Sequence, residues 1–349
     1  MKTIHLCNSF FERELLEKIP KDLHFYFPLH PIFYQLQFLP FLYDKNAVVS
    51  HLPEKAYLKR FPGNSCHLLD DVIDTSYQLD SWGSSLSIKD WATKKGLSYQ
   101  MPELSVLRKI HAKSFPFLYS KQLPFSYMVK TYEDLLVALS KGPYPKVLKI
   151  AFETAGRGLF ILPAKPENIP QKIQKILIQE FKENRPVIVE PWVKRVLDFS
   201  TQWKIEKNKA ITFLGTTIFE ADQKGTYRKT IIRKNPLLLL ENFYQEHLEY
   251  AKHLLEKCKD LGFFGNIGFD AFIYEENHKH HLHPIAEVNA RKTMSYVALC
   301  SQKKFYPNSD MAFSFIATKN PKEGFLPQKL KISKNHELFF PHQIFLEKL

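Results

Sequence analysis

Along the first hundred residues, apolar and polar positions alternate in short stretches. Thr3 to Cys7 reads as an opening strand. His24 to Tyr43 is aromatic but is broken by three prolines and by Gln35 and Gln37. That interruption predicts strand, loop and helix instead of a membrane span. An acidic patch (Asp70, Asp71, Asp74) precedes Ser81-Trp82-Gly83, and Ser87 to Lys95 has the period of a capped helix that stops at Gly96. The texture changes from about residue 103. Leu104 to Leu118 has a helical period, Phe125 to Val129 reads as a short strand, and Tyr132 to Leu139 as a helix with Glu133 and Asp134 in its first turn. Lys146 to Ala151 and Leu159 to Leu162 read as a β-hairpin around a glycine-containing turn. An amphipathic helix, Asn168 to Lys182, leads into the strand Pro186 to Glu190. Ser200 to Ile205, Ala210 to Phe219 and Tyr227 to Ile232 alternate as antiparallel strands. The helix Phe243 to Leu261 follows, then two apolar strands around Asp270 and Glu287. Met294 to Leu299 opens a last helix, and a Lys-rich, Pro-containing tail closes the chain. No internal repeat is visible.

At 349 residues the chain is long enough for two or three subdomains. We divide it at 1–102, 103–190 and 191–349. Lys and Arg outnumber acids by 49 to 36, which suits an anionic ligand such as a nucleotide; the lysines are spread along the chain, which speaks against a nucleic-acid-binding arm. Cys7, Cys66, Cys258 and Cys300 are far apart and form no C-x-x-C pair. They read as reduced thiols of a cytoplasmic protein, with neither a disulfide framework nor a zinc knuckle. The first twenty residues carry charges throughout and lack the apolar block of a secretory signal.

The chemistry begins with acids where a core strand would want none. Asp270 lies in Gly265-Asn-Ile-Gly-Phe-Asp270, and Glu287-Val-Asn289-Ala-Arg291 follows seventeen residues later. Residues two apart on a strand share a side, so Glu287, Asn289 and Arg291 are expected to project together. A carboxylate and an amide oxygen are hard ligands of the kind Mg²⁺ takes, and an arginine beside them suits a phosphate or carboxylate. Standing alone, E-x-N-x-R reads equally as a polar strand face. Upstream, Lys149 closes a strand and is followed by Glu153-Thr-Ala-Gly156-Arg157-Gly158, whose glycines permit close backbone approach to an anion. Val187-Ile-Val-Glu190-Pro191-Trp192-Val193 runs from a strand into a linker able to meet an adenine edge. Asp198 is spaced to reach a ribose hydroxyl. His278, His280, His281 and His283 lack zinc-finger spacing and read as a polar hairpin turn.

In order and spacing these features resemble the ATP-grasp superfamily of carboxylate–amine or thiol ligases, over residues 103 to 300. The resemblance implies a mixed α+β / α/β protein: an ATP-grasp fold, with two α+β subdomains sandwiching ATP, behind an N-terminal α/β domain of the pre-ATP-grasp kind. Lys149 resembles the phosphate-contacting strand lysine, and Gly156, Arg157 and Gly158 the loop that closes over the triphosphate. Glu190, with the backbone of Trp192 and Val193, would hold adenine. Asp270, Glu287 and Asn289 would hold Mg²⁺ (or Mn²⁺), and Arg291 would face the reacting anion. An earlier lysine about 40 residues before Lys149 is implied; Lys109 fits that spacing best and Lys113 is the alternative. One of Arg228 and Lys229, adjacent on a strand, is expected to point inward toward the γ-phosphate. Glu153 and Thr154 stand where many members carry glycine or serine, so the loop is thinner than usual.

The implied activity is ATP- and Mg²⁺-dependent ligation of a small carboxylic acid, such as an amino acid, to an amine through an acyl phosphate. The partners are then ATP and small molecules, with no membrane, and a homodimer is compatible. A fold that keeps nucleotide affinity without turnover is the second reading, and a basic nucleic-acid-binding protein the third. Residues 1 to 100 carry no motif that names the substrate.

Overall fold

The computed structural model describes residues 2–16, 31–71, 73–152, 158–165, 169–221, 227–236, 240, 243–317, 324–333, 336–340 and 342–349. The N-terminal sheet contains β1 (Lys2–Leu6), β2 (Asn46–Val49), β3 (Ser65–Leu68) and β4 (Tyr77–Ser81), in the order β3-β2-β1-β4 with every pair parallel. Parallel sheets need cover on both faces. The apolar residues of β1 and β2 and the rings of Phe10, Phe11, Phe38 and Phe41 are accordingly buried. The helix expected from Ser87 spans Leu86–Lys94, one residue earlier, because Ser85 is its cap and accepts a hydrogen bond from the Ile88 amide. Gly96 ends it at φ +68°.

The single helix expected over Leu104 to Leu118 is two, Leu104–His111 and Ser114–Tyr119. Pro116 would collide with the carbonyl of residue 112 in a continuous helix. Ala112 instead adopts φ −64°, ψ 136°, and that break turns Lys113 into the interior.

A second sheet holds β5 (Tyr127–Val129), β6 (Lys146–Lys149), β7 (Leu159–Leu162) and β8 (Val187–Pro191) in the order β5-β8-β6-β7, all antiparallel. Leu135 and Leu139 from helix Tyr132–Ser140 and Leu177 from helix Gln171–Lys182 pack with Leu148, Val187 and Val189 to form its core.

The third sheet begins with β9 (Lys194–Ile205), β10 (Ile211–Ala221), β11 (Tyr227–Ile232), β12 (Gly265–Glu276) and β13 (Lys279–Asn289). Its order is completed by β14 (Met311–Ala317) and, after the hairpin β15 (Lys329–Ser333) and β16 (His336–Phe339), by β17 (His342–Lys348). All its pairs are antiparallel, in the order β13-β12-β9-β10-β11-β14-β17. The expected C-terminal tail is therefore structured: two of its strands extend the large sheet. The β15–β16 hairpin and the segment before it reach the helices of the N-terminal region, where Lys329 pairs with Glu54 at 2.6 Å and Tyr57 Oη donates to the Phe325 carbonyl at 3.0 Å.

Helix Phe243–Asp260 covers one face of the large sheet, with Leu254 and Leu255 buried and His247 Nε2 bonded to Thr201 at 2.8 Å. On the other face, helix Met294–Phe305 packs so closely that a Cβ at Gly215 (φ +148°) would lie 2.8 Å from Leu299. The remainder of that face, toward β13, carries the acids. Among the described residues no helix is long and apolar enough to cross a membrane. Leu254→Ala, at a fully buried position, should lower unfolding free energy by about 2–5 kcal/mol in urea titrations.

Candidate active site

β12 and β13 form a hairpin whose turn, Asn277 and His278, lies at φ 50° and 60°. Its register sets Asp270 opposite Glu287 and Gly268 opposite Asn289, so the three polar side chains share a side. Gly268 has no room for a side chain, because a Cβ there would meet the Gln202 amide at 2.7 Å. Ser200 Oγ donates to Asp270 Oδ1 at 2.6 Å, and Asn289 Nδ2 donates to Asp270 Oδ2 at 3.0 Å. Lys113 Nζ stands 2.9 Å from Glu287 Oε1. Burial, and next the facing Glu287, push the Asp270 carboxyl up to about 7. Burial acts the same way on Glu287, but the charges of Lys113, Arg291 and Lys149 outweigh it and hold that carboxyl below its ordinary range. One carboxylate of the pair is thus already compensated, and the other lacks a cation.

Two expectations change here. β13 ends at Asn289, and the Arg291 amide turns back to the Asn289 carbonyl at 2.8 Å, so Arg291 does not share the strand face with Glu287. Its guanidinium lies beside the N-terminal region, with Nε 2.8 Å from Glu12 Oε1. Lys109 is exposed on its helix, off the Leu107/Ile110 stripe that is buried. The helix break before Pro116 brings Lys113 to the acids instead.

A second group comes from the smaller sheet. Lys149 at the end of β6 pairs with Glu190 on β8 at 2.5 Å, both nearly enclosed. Burial raises Glu190, and Lys149 together with the neighbouring His283 more than reverses this. His283 is the one histidine of the β12–β13 hairpin that is buried. Desolvation lowers it to about 4, and its ring meets Phe272 edge-on at 4.9 Å. Among the described residues no group of three or more His, Cys, Asp or Glu side chains is arranged to hold a metal ion, the histidine run included. The Trp192 amide donates to the Pro145 carbonyl at 2.8 Å, so that N–H is consumed inside the fold and cannot meet adenine. Val193 packs with Leu123, Phe272 and Tyr274 where the two sheets approach each other. Asp198 is paired with Arg195 at 3.0 Å, and the Arg195 guanidinium lies 4.1 Å from the Phe272 ring centre.

Arg228 and Lys229 lie at an irregularity of β11: Glu220 pairs with Lys229 and Ala221 with Tyr227, so the pairing skips Arg228, which is exposed. Gly158 closes the β6–β7 hairpin by accepting from the Ile150 amide at 3.3 Å. Gly156 and Arg157 lie outside the described residues. Glu12, Phe272 and Arg195 had no sequence signal, and His283 was read only as part of a polar turn; Phe272 and His283 are brought to the site by the pairing of β12 with β9 and β13.

Residues 125–282 match a family model described as L-aspartate--L-methionine ligase, ATP grasp. A sequence search of curated proteins finds no match. Among solved structures, the fold is similar to phosphoribosylamine–glycine ligase of Thermotoga maritima (TM-score 0.59, 12% identity, 99% of this chain and 92% of that one). It is similar also to biotin carboxylase of Campylobacter jejuni, solved with a β-γ-ATP ligand (0.54, 13%, 84% and 75%). A third is the biotin carboxylase domain of Hydrogenobacter thermophilus 2-oxoglutarate carboxylase, solved with MgADP and bicarbonate (0.51, 16%, 74% and 66%). The chain thus spans just under two thirds of that last structure.

Asp270 supplies a test of the electrostatics. Its folded pKa lies above the ordinary carboxylate value of 3.8, so its ionised form is penalised by folding. The penalty is absent below about pH 4 and complete above about pH 7. Asp270→Asn should therefore stabilise the ligand-free protein more at pH 8 than at pH 4, by about 1–2 kcal/mol in urea unfolding.

Proposed function

We propose that this chain is a ligase of the ATP-grasp superfamily that uses ATP to activate a small carboxylic acid as an acyl phosphate for attack by an amine, a reading supported by the family model matched over residues 125–282 and by the similarity of fold. The observation that carries this reading is the opposed Asp270/Glu287 pair, one acid neutralised by Lys113 and the other pushed up to about 7. Such a pair, with an amide oxygen beside it, suits Mg²⁺, which takes one or two carboxylates and leaves its other positions to water and phosphate. Bound there with ATP, the ion would lower the charge on the transferring phosphoryl group.

The chain's own residues divide the remaining work. Asp270, Glu287 and Asn289 are the ligand set. Lys113 and Lys149 stand where two ammonium groups can offset phosphate charge, the latter by sharing itself between Glu190 and the nucleotide. One of Arg228 and Lys229 is the candidate for the γ-phosphate, and Gly158 with Gly156 and Arg157 for the covering loop. Glu190 and the Val193 backbone would meet adenine, with Phe272 as an apolar wall, and Asp198 the ribose. Arg291 would orient the carboxylate that receives the phosphoryl group. We assign residues 1–102 to the substrate side, 103–190 to the nucleotide lid and 191–349 to the metal strands. The unpaired thiols fit a cytoplasmic protein.

Glu287→Gln should cut ADP formation about 100-fold or more in the presence of an acid–amine mixture, while wild-type protein is stabilised thermally by MgATP. Wild-type protein that shows neither MgATP stabilisation nor ADP release with any acid–amine pair contradicts the reading. MgATP stabilisation without ADP release would leave a nucleotide-binding protein.

A further inference from the structure

His283 stands apart from the other histidines of its hairpin, and the metal and phosphate groups above leave it without a task. It pairs with Phe272, which lies two residues along β12 from Asp270, so its ring is on the face of the large sheet that carries the acids. The smaller sheet meets it there. The charges of Glu190 and Lys149 both act on the imidazole, as does that of Arg195. The ring is 1% exposed, and desolvation lowers it to about 4, so at neutral pH it is uncharged.

A neutral imidazole has one N–H and one bare lone pair. One ring nitrogen of His283 bonds to the Lys121 carbonyl, which can only accept, so that nitrogen holds the hydrogen. The enclosed Nδ1 has no hydrogen-bond partner among the described residues and is therefore a pure acceptor. A buried acceptor without a donor costs free energy. Its neighbours do not supply one: Glu190 is itself an acceptor, Lys149 is paired with Glu190, and Arg195 with Asp198. Phe272, packed with Val193, Leu123 and Ala286, walls the same corner. Arg195 lies over the Phe272 ring and, with Asp198 and Phe219, lines a cavity of about 360 Å³, a size that small-ligand sites have. A flat group against Phe272 that presents two N–H bonds at one corner would serve both Glu190 and His283. The amino group of an aminopurine does so. A ring carbonyl at that position, as in guanine, would set an acceptor against two acceptors.

We infer that His283 determines which purine the site accepts, its Nδ1 taking one hydrogen of the 6-amino group of adenine while Glu190 takes the other. His283 is thus a specificity-determining residue and not a metal ligand. The inference rests on the ligase reading only in placing a nucleotide between the two sheets.

The test is calorimetric titration of the full chain, with Mg²⁺ present, by ATP, GTP and purine riboside 5′-triphosphate, in which hydrogen replaces the 6-amino group. Wild type is compared with His283→Leu and His283→Met, which remove the acceptor, and with His283→Asn, whose amide oxygen replaces Nδ1. Wild type should bind ATP about tenfold or more tighter than either other nucleotide. The Leu and Met variants should cut the preference over purine riboside triphosphate about fivefold or more by weakening ATP, with the analogue unchanged within about twofold, and His283→Asn should recover part of it. A merely structural role for His283 would weaken both nucleotides together. The inference is overturned if no nucleotide binds, if wild type binds ATP and the analogue equally, or if a folded Leu or Met variant keeps the wild-type ratio. A preference for ATP that depends on His283, in a protein that releases no ADP with any acid–amine pair, would uphold the role of His283 and remove the ligase reading.

Discussion

Two carboxylates directly opposite each other on neighbouring antiparallel strands are a repulsive arrangement, and the local structure is organised around holding them there. Asp270 is fixed by Ser200 from β9 and by Asn289 from β13, and Glu287 by Lys113 from a helix break 174 residues earlier in the chain. Like charges at a cross-strand pair destabilise a sheet. The pair persists because the β9–β12–β13 register is anchored elsewhere, by Phe199, Ala271 and Ile273 on the opposite face and by the helix Phe243–Asp260 packed around them. Stability on one face permits strain on the other.

The segment just after the acids binds the large sheet to the N-terminal one. The Lys292 amide donates to the Trp82 carbonyl at 2.9 Å, and its fully buried ammonium meets Asp80 at 2.7 Å and the Ser81 carbonyl at 2.8 Å. Lys304 adds bonds to the carbonyls of Phe41 and Asp44. Taking the Lys292 charge out of water is costly unless it is paired, and Asp80 and the Ser81 carbonyl supply that pairing. The carboxyl ends of β1 and β4 are thereby held against Arg291 and Glu287. That is why Glu12, from a region with no readable motif, comes beside Arg291.

What could be read from the sequence follows from which interactions are local. Asp270 and Glu287 were visible because an acid in a short apolar run contradicts the strand that carries it. Most strands that period-two alternation did indicate match within a residue or two, and Lys146–Lys149 with Leu159–Leu162 is the expected hairpin; β9 begins at Lys194, well before Ser200, and β2, β3 and β4 had no reading. Arg291 leaves the strand face of Glu287 because alternation says nothing about where a strand stops; after Asn289 the chain turns, and Lys292 docks on the first sheet. Spacing favoured Lys109, whereas the steric effect of Pro116 on residue 112 favoured Lys113. The closing strands β14 and β17 were hidden because lysine and proline separate short apolar runs whose partners lie far away. The backbone of Trp192 was expected at adenine; the bond of its amide to the Pro145 carbonyl depends on the β6–β8 register, which the sequence does not display. Glu12 and His283 are positioned by tertiary contacts alone.

The central claim is that Asp270 and Glu287 together hold the divalent ion of a nucleotide complex. Titrating Mn²⁺ into the protein with ATP and following the free ion by electron paramagnetic resonance tests that directly. The account predicts a ternary Mn²⁺–ATP–protein complex with wild type, weakened at least about tenfold in the Asp270→Asn, Glu287→Gln double variant. Undiminished Mn²⁺ and ATP binding by a folded double variant would contradict it.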